Sequence, residues 1–312
     1  MKVKGFRKRK SEREMGNITG KTKVTGIIGY PLTYTLSPLM HNRAFKVCGL
    51  NYKYLAFVVE KGHLKSAIDG IRALNIKGVN ITMPHKEAVI SLLDGISKEA
   101  EIIGAVNTIN NEDGRLIGYN TDAEGFTSSL KEEDFNPAGK QAIIIGTGGG
   151  AKAVAVALVQ AGVKSIAVVG GSIEKSQAIK DRIIDITRNI LVKPLTFESN
   201  LADIFQIGDL IVNATPVGMA ESGGLLPVPL ELIKKRHFIY DLVYIPQETV
   251  LIKEARRKGA RAVNGTGMLV HQAALAFEIW TGISAPVEEM RQALIRGLVS
   301  GERPENVKKE ED

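Results

Sequence analysis

The sequence predicts an α/β protein with two domains, the second of which is a doubly wound sheet of the Rossmann type. Three observations support this prediction. The chain has 312 residues, which is enough for two hydrophobic cores. Apolar segments of strand length alternate with helical segments in both halves of the chain. One apolar segment, Ala142–Ile145, breaks into a glycine-rich turn that opens a helix rich in alanine and valine.

The composition is typical of a globular protein, with 44% hydrophobic and 24% charged residues. The single cysteine, Cys48, cannot form an internal disulfide, and we interpret it as a buried, inert thiol in a reducing cytosol. One cysteine and five histidines show no metal-ligand spacing, so we expect no structural metal. No apolar run is long enough to span a bilayer, so we expect no membrane partner.

Most of the net charge of +7 lies at the N-terminus. Residues 1–14 hold seven Lys and Arg against two Glu, a net charge of +5, in a basic arm that we extend to residue 22. The arm could bind nucleic acid or anionic lipid, but we favour a solvated, disordered tail or an upstream start codon with Met15 as the true start. No apolar segment follows it, so it is no secretory signal, and we expect a cytoplasmic protein. A charged tail is predicted at residues 304–312.

The first domain begins with a strand at Val24–Tyr30 and a loop rich in hydroxyl groups. Pro38 is placed to start a helix, which makes Ser37 a candidate N-cap. Alternatively, Tyr34, Thr35 and Ser37 offer hydrogen-bond donors to a small anion beside the helix N-terminus. The sequence is compatible with both roles.

A βαβ unit follows and predicts a small parallel or mixed sheet. Its parts are a strand at Tyr52–Val59, a helix at Leu64–Leu74 and a strand at Gly78–Thr82. Asn80, Thr82 and Lys86 lie at or just beyond the end of the last strand, where α/β folds place ligands. Lys86 could equally be a surface charge that opens the next helix.

We interpret Gly104–Ile109 as a further strand that contains Asn107. A buried Asn needs hydrogen-bond partners, which makes Asn107 a candidate ligand contact. Residues 110–117 are typical of a hairpin turn. A helix is predicted at Ala123–Leu130, with Asp122 as its N-cap or as a functional carboxylate, and the domain boundary should fall near Asp122.

The second domain contains five predicted strands separated by helical segments. They lie at Ala142–Ile145, Ser165–Val169, Leu210–Asn213, Phe238–Asp241 and Ala260–Val263. The loop Asn213–Met219 is a place where a nicotinamide could lie. A final apolar helix is predicted at Met268–Trp280.

The glycine-rich turn predicts a dinucleotide-binding loop. Gly146 can form the tight turn, Gly148 lets the backbone approach a pyrophosphate, and the small Ala151 lets the helix pack closely on its strand. The anion would rest on free N–H groups at the helix N-terminus. Because glycine turns also serve ordinary connections, the interpretation depends on the flanking strand and helix.

Between residues 24 and 300 the chain resembles the shikimate dehydrogenase family. The resemblance rests on eight segments in the family's order: Ser37–Pro38, Asn80–Lys86, Gly104–Thr108, Asn120–Asp122, Gly146–Gly149, Asn213–Met219, Tyr240–Tyr244 and Gly265–Ala273. It implies reversible reduction of 3-dehydroshikimate to shikimate with a nicotinamide cofactor, on the route to aromatic amino acids.

The resemblance also implies the domain plan and the catalytic pair. Residues 23–121 and 265–303 would form a substrate-binding catalytic domain, residues 122–264 an NADP-binding Rossmann-type domain, and the C-terminal helices would pack back on the first domain. Lys86 and Asp122 would be the catalytic pair in an interdomain cleft, and the sequence leaves open which of them exchanges the proton. A nucleotide-sensing or nucleic-acid-associated protein is the rival class, which retention of this pair argues against.

The remaining site residues follow from the same resemblance. Those expected to bind the substrate are Thr35, Ser37, Asn80, Thr82, Asn107, Tyr244 and Gln272. Those expected to bind the cofactor are Gly146, Thr147, Gly148, Gly149, Gly150, Ala151, Ser172, Lys175, Ala214, Thr215, Met219, Gly265 and Met268. We expect a small-molecule substrate, no nucleic acid, and a monomer or homodimer.

Two positions depart from the family pattern. Thr35 replaces a serine, and its extra methyl group raises quinate as an alternative substrate. Gly171 replaces the arginine with which NADP-using relatives hold the 2′-phosphate, while Ser172 and Lys175 remain able to meet a phosphate. We therefore favour NADP, with NAD or dual use as the alternative.

Overall fold

In the computed structural model, which describes residues 18–219 and 226–300, the chain forms two compact units. The first contains residues 18–95, 107–119 and 273–300, and the second contains residues 96–106 and 120–272. Most of the basic arm, residues 1–17, and the charged tail at 304–312 lie outside the described residues. Each unit is built around a six-stranded sheet, which confirms the predicted α/β class.

The sheet of the first unit is mixed, with the strand order β2-β1-β3-β5-β6-β4. The strands are β1 (Lys23–Gly29), β2 (Tyr52–Val58), β3 (Gly78–Ile81), β4 (Gly95–Ile96), β5 (Thr108–Glu112) and β6 (Arg115–Tyr119). β1 is parallel to β2 and β3, whereas β5 is antiparallel to β3 and β6. The β5–β6 hairpin turns at Asp113 and Gly114, whose φ angles of 53° and 95° suit a tight two-residue turn.

Helices at both ends of the chain belong to the first unit. They are Ser37–Val47, Leu64–Ala73, Val287–Ser300 and the second half of Thr266–Thr281. Val287–Ser300 packs against Ser37–Val47, and Arg43 donates hydrogen bonds of 2.9 and 2.6 Å to Oε2 of Glu289. A Cβ atom at Gly297 would lie 2.5 Å from Leu39, so the two helices approach closely there.

Trp280 joins the end of its helix to the centre of the sheet. Its indole is almost fully buried, and its Nε1 donates a 2.9 Å hydrogen bond to the carbonyl oxygen of Ile109. A Cβ atom at Gly78 would lie 2.2 Å from that Nε1, so the indole occupies space that only a glycine in β3 leaves open.

The sheet of the second unit is parallel and doubly wound, with the strand order β12-β11-β10-β7-β8-β9. The strands are β7 (Gln141–Ile145), β8 (Ser165–Gly170), β9 (Leu191–Thr196), β10 (Leu210–Asn213), β11 (Phe238–Asp241) and β12 (Arg261–Asn264). The helices are Lys98–Ile103, Asp122–Glu132, Gly149–Gln160, Ile173–Ile186, Ala202–Ile207, Val250–Arg257 and the first half of Thr266–Thr281.

Both faces of this sheet are covered. Ile144 packs into one hydrophobic cluster, and its neighbours Ile143 and Ile145 pack into another. Two covered faces explain why the β7 sequence is apolar without alternation. Within residues 18–219 and 226–300, no helix has the length and apolar character needed to cross a membrane.

The predicted strand at Gly104–Ile109 is wrong in its first half. A helix at Lys98–Ile103 ends at Gly104, which has a left-handed φ of 68°, and β5 begins only at Thr108. The glycine is therefore a helix C-cap, a role that the apolar residues after it concealed.

The sixth strand of the second unit, β9, was not predicted. It contains Pro194, which cannot donate a hydrogen bond to a neighbouring strand. Because β9 is an edge strand that pairs only with β8, the missing N–H group is tolerated there.

The two proposed N-caps are also wrong by one position. The first helical residue is Ser37 in one helix and Asp122 in the other, with Leu36 and Thr121 at the N-cap positions and no capping side-chain hydrogen bond in either. Neither side chain is used as a cap.

Candidate active site

The glycine-rich turn lies at the carboxyl end of β7, in the middle of the parallel sheet. The chain leaves β7 toward β8 and β9 and later returns to β10 on the other side. Such a topological switch point is where doubly wound sheets bind ligands. Gly146 has a φ of +116°, and a Cβ atom there would lie 2.8 Å from the carbonyl oxygen of Ala214, so the fold itself requires glycine at this position.

Gly148 differs from Gly146 because no described protein atom requires it to be glycine. Its φ of −78° and ψ of −175° suit any residue, and an added Cβ atom would have no neighbour within 4 Å. It is the N-cap of helix Gly149–Gln160, whose first-turn N–H groups have no partner within the helix. The space beside Gly148 therefore fits an anionic group such as a pyrophosphate. Ala151, which is fully buried, lets this helix lie close to the sheet.

Three other predicted cofactor residues, Ala214, Thr215 and Gly265, lie near this turn. A Cβ atom added at Gly146 would lie 3.1 Å from Thr215. One added at Gly150 would lie 3.3 Å from Leu242, and one added at Gly265 would lie 2.2 Å from the Leu242 carbonyl oxygen. The structure thus brings the glycine-rich turn, Ala214, Thr215 and Gly265 together at one edge of the sheet. Met268, which is 8% exposed, follows in the first turn of helix Thr266–Thr281.

Two buried polar residues, Asn213 and Asp241, organise the loop at Asn213–Met219, and sequence analysis assigned them no role. Asn213 Oδ1 accepts hydrogen bonds from the backbone N–H and hydroxyl of Thr215, at 3.0 and 2.7 Å. Its Nδ2 donates to Asp241 Oδ1 at 2.8 Å and to the carbonyl oxygen of Val217 at 3.2 Å. The available signal was a polar side chain at the carboxyl end of each of two buried strands.

Asp241 is a fully buried carboxylate held by hydrogen-bond donors. Oδ1 accepts from Asn213 and from the N–H of Val243, and Oδ2 accepts a 2.6 Å hydrogen bond from the Thr249 hydroxyl. Burial raises the pKa of Asp241, while these hydrogen bonds oppose the shift. The loops after β10 and β11 are therefore fixed to each other by one side chain.

The segment after β8 holds the residues expected near the adenosine. A Cβ atom at Gly170 would lie 2.6 Å from Thr147, whereas one at Gly171 would meet only Phe197, at 3.7 Å. Ser172 is the N-cap of helix Ile173–Ile186 and accepts a 3.5 Å hydrogen bond from the Lys175 N–H. Lys175 has an exposed side chain.

Glu174 adds a negative charge to this segment. Its own backbone N–H and the Ser172 hydroxyl donate hydrogen bonds to its carboxylate, and both lower the pKa of Glu174. Ser172 therefore already has two local hydrogen-bonding roles.

In the first unit, three predicted substrate residues surround the end of β3. Asn80 and Asn107 are buried and are linked through the backbone, because Asn80 Nδ2 donates to the carbonyl oxygen of Asn107 at 3.2 Å. Thr82 follows β3 directly, and its N–H donates to the carbonyl oxygen of Ile28. Lys86 lies in the turn after Thr82, with its side chain partly buried.

Ser37 and Thr35 lie at the start of helix Ser37–Val47 in the same unit. Ser37 is 6% exposed, and Thr35 is partly buried, with its N–H donated to the carbonyl oxygen of Leu32.

Asp122 of the predicted catalytic pair and the last two predicted substrate residues, Gln272 and Tyr244, lie in the second unit. Asp122 is 5% exposed, and its N–H donates a 3.0 Å hydrogen bond to Asn120 Oδ1. Gln272 Nε2 donates to the carbonyl oxygen of Leu269 at 2.9 Å. Burial raises the pKa of Tyr244 to about 12. Like any tyrosine hydroxyl at neutral pH, its hydroxyl is protonated and can donate a hydrogen bond.

The fold and the loop geometry define the class of the protein: it is a dinucleotide-binding α/β protein that also contains another α/β unit. Within the described part of the chain, no group of three or more His, Cys, Asp or Glu is placed to hold a metal ion.

Comparison with known proteins makes the assignment specific. Residues 27–109 match the shikimate dehydrogenase substrate-binding domain, and residues 265–295 match the shikimate 5′-dehydrogenase C-terminal domain. The shikimate dehydrogenase (NADP(+)) of Desulforamulus reducens is 42% identical over 287 residues, which cover 91% of this chain and 98% of that protein.

Solved structures agree with this match. A shikimate dehydrogenase in complex with NADP+ superimposes with a TM-score of 0.83 at 41% identity, over 90% of this chain and 98% of that one. The Listeria monocytogenes shikimate 5-dehydrogenase in complex with shikimate and NAD gives 0.81 at 36% identity, over 89% and 98%. The chain belongs to the shikimate dehydrogenase family.

Proposed function

We propose that this protein is an NADP-dependent oxidoreductase that reversibly reduces 3-dehydroshikimate to shikimate, in the biosynthesis of aromatic amino acids. One observation carries the proposal: the chain matches 98% of the length of a relative named shikimate dehydrogenase (NADP(+)), so both units of such an enzyme have a counterpart here. By the family resemblance, Lys86 and Asp122 would form the catalytic pair.

The cofactor fits the second unit. The open space beside Gly148 and the N–H groups at the start of the helix behind it, which have no partner within the helix, suit a pyrophosphate. The loop at Asn213–Met219, together with Gly265 and Met268, would hold the nicotinamide half. Bound NADPH supplies the hydride that converts the ketone to an alcohol.

Lys86, oriented by Asp122, would stabilise the negative charge that develops during this reaction. When hydride reaches the ketone carbon, negative charge develops on the oxygen, and the Lys86 ammonium would stabilise it and supply a proton. Asp122 would orient that ammonium and compensate its charge. Either residue could exchange the proton in the reverse direction.

The small polyol acid would be held by convergent polar groups, because it has little apolar area to bury. Ser37, Thr35 and Tyr244 would bind its carboxylate. Asn80, Thr82, Asn107 and Gln272 would bind its ring hydroxyls.

Quinate is the second candidate substrate, and the feature that favours it is Thr35. By the family resemblance a serine is expected at this position, and the methyl group of Thr35 would change the shape of the proposed carboxylate pocket. Four reactions separate the candidates: purified protein with shikimate or quinate, each with NADP or NAD, followed by the absorbance of the reduced nicotinamide. We expect the highest kcat/KM with shikimate and NADP. Turnover chiefly with quinate would move the protein to the second candidate, and no turnover in any reaction would overturn both.

The role of Lys86 has a separate test. Lys86→Ala should lower kcat by about 10²- to 10⁴-fold, while the Kd for NADP changes little, because that ligand is assigned to the other unit. Lys65→Ala is the matched control, since Lys65 is an exposed lysine of the same unit that pairs only with Asp69 among the described residues. Substantial residual turnover in Lys86→Ala would contradict the assigned role.

The cellular setting belongs to the same proposal. We assign the enzyme to the cytoplasm as a monomer or homodimer without a nucleic-acid partner. Deleting residues 1–14 should leave both shikimate turnover and nucleic-acid binding unchanged. If the deletion lowered shikimate turnover or nucleic-acid binding, the basic arm would have a function.

A further inference from the structure

A chain of buried side-chain hydrogen bonds in the first unit links two of the proposed substrate residues, Asn80 and Asn107. The Tyr54 hydroxyl donates a 2.7 Å hydrogen bond to Asn80 Oδ1. Asn80 Nδ2 donates to Thr108 Oγ1 at 3.0 Å, and the Thr108 hydroxyl donates to Asn107 Oδ1 at 3.0 Å. Tyr54 and Thr108 have no assigned role in the reaction, yet they connect two residues that do.

The donors and acceptors give this chain a direction. A hydroxyl group carries one proton, so Thr108, which receives a hydrogen bond from Asn80, must use its own proton elsewhere. It gives that proton to Asn107 and thereby fixes which end of the Asn107 amide is the oxygen. At the other end, Tyr54 satisfies the oxygen of Asn80, while the amide nitrogen faces Thr108 and the carbonyl oxygen of Asn107. The hydrogen bonds of Tyr54 and Thr108 therefore set the orientation of both amides.

Tyr54 is itself held rigidly. It is 1% exposed, and its ring stacks on His41 with centroids 4.3 Å apart and planes at 6°. Asn42 clamps its backbone, accepting from the Tyr54 N–H and donating to the Tyr54 carbonyl oxygen, both at 2.9 Å. A phenylalanine would keep the ring but would remove the hydroxyl that donates to Asn80 Oδ1.

We infer that Tyr54 is a positioning residue for substrate binding, which holds Asn80 directly and Asn107 through Thr108. The inference rests on the proposed function, because it takes both asparagines as ligands of the substrate hydroxyls. Without the Tyr54 hydroxyl, the Asn80 oxygen loses a buried donor and both amides gain freedom in the unbound enzyme. The loss should appear in substrate binding and much less in the chemical step.

The test is Tyr54→Phe, with Tyr52→Phe as the matched control. Tyr52 lies in the same strand and in the same aromatic cluster, but its hydroxyl donates to the carbonyl oxygen of Trp280, at 3.5 Å. We expect Tyr54→Phe to raise KM for shikimate by about 3- to 10-fold, with little change in kcat or in the Kd for NADP. Tyr52→Phe should leave all three unchanged. Equal increases in KM in both variants, or an unchanged KM in a folded Tyr54→Phe enzyme, would overturn the inference.

A double-mutant cycle shows whether Tyr54 acts through Asn80. In an Asn80→Ala background, Tyr54→Phe should have no further effect on KM, whereas independent effects would multiply and contradict the inference. If Tyr54→Phe does not fold, Thr108→Val interrupts the same chain and should raise KM while kcat is retained. An unchanged KM in that variant would also overturn the inference. A wild-type enzyme inactive on shikimate would instead refute the proposed function before any variant is made.

Discussion

Replacing Gly148 with alanine tests whether this glycine is present for a ligand or for the fold. Its backbone angles suit alanine, and the added methyl group would have no neighbour within 4 Å among the residues that the structure describes. The methyl group would instead project into the space assigned to the pyrophosphate. We therefore expect the variant to fold normally and to bind NADP poorly.

The expected change in the free energy of unfolding is small, whereas the expected change in the Kd for NADP is large. Alanine is a weaker N-cap than glycine by up to about 1 kcal/mol, but it also restricts the unfolded chain, which offsets about 0.4–1 kcal/mol. The net change in the free energy of unfolding should thus lie within about 0.5 kcal/mol. Displacing a phosphate from a charged hydrogen bond costs about 1.5–3 kcal/mol, which corresponds to a roughly 10- to 100-fold higher Kd.

Fluorescence titration with NADPH and thermal unfolding measure the two parts. Gly146→Ala is the control, because its Cβ atom would lie 2.8 Å from the Ala214 carbonyl oxygen at a φ of +116°. That variant should lose about 1–3 kcal/mol of stability as well as affinity. A Gly148→Ala variant that binds NADPH as tightly as the wild type, or whose affinity falls only in proportion to its stability, would show that Gly148 does not serve the cofactor.

Three further predictions concern other parts of the structure. Gly171→Arg should lower the Kd for NADP about 10-fold or more without affecting NAD, because the position is open and a guanidinium can pair with the 2′-phosphate; equal changes for both cofactors would contradict this. Asp241→Asn should lower the free energy of unfolding, measured in urea, by about 1–3 kcal/mol and raise KM for NADP, because one of its three hydrogen-bond donors would then face an NH₂ group. Wild-type values of both quantities would show that the carboxylate is dispensable. Burial lowers the pKa of His41 to about 3, so between pH 6.5 and 3 only the unfolded chain binds its proton and stability falls as pH falls. His41→Phe should therefore show a free energy of unfolding that depends less on pH over this range, by up to about 1.4 kcal/mol per pH unit, and an unchanged slope would refute the assignment.

The strongest sequence signals were those in which local pattern and fold agree. The run Ala142–Ile145 is apolar because β7 is covered on both faces, and the glycine-rich turn that follows has the geometry expected of it. Where the local pattern served a different purpose, the prediction was wrong. Gly104 ends a helix rather than starting a strand, and Pro194 hides an edge strand.

The candidate site was predictable in its motifs but not in its supports. Gly146 and Gly148 occur in one motif, yet the fold requires glycine at the first position, whereas no atom of the described residues requires it at the second. The motif alone does not show this difference. Asn213 and Asp241 meet through pairing of β10 and β11, and Tyr54 meets Asn80 across β1. Such contacts join residues far apart in sequence, so no local pattern carries them.

The place of Trp280 in the first unit has a consequence for how the protein is made. Its indole fills the space beside Gly78, and it belongs to the segment from residue 273 onward, which a ribosome synthesises after the whole of the second unit. The second unit can therefore complete its sheet on the ribosome, whereas the first must wait for its last helices with that space unfilled. We expect the nascent first unit to expose apolar surface until residues 273–300 have left the ribosome, so chaperones should bind this unit rather than the second one.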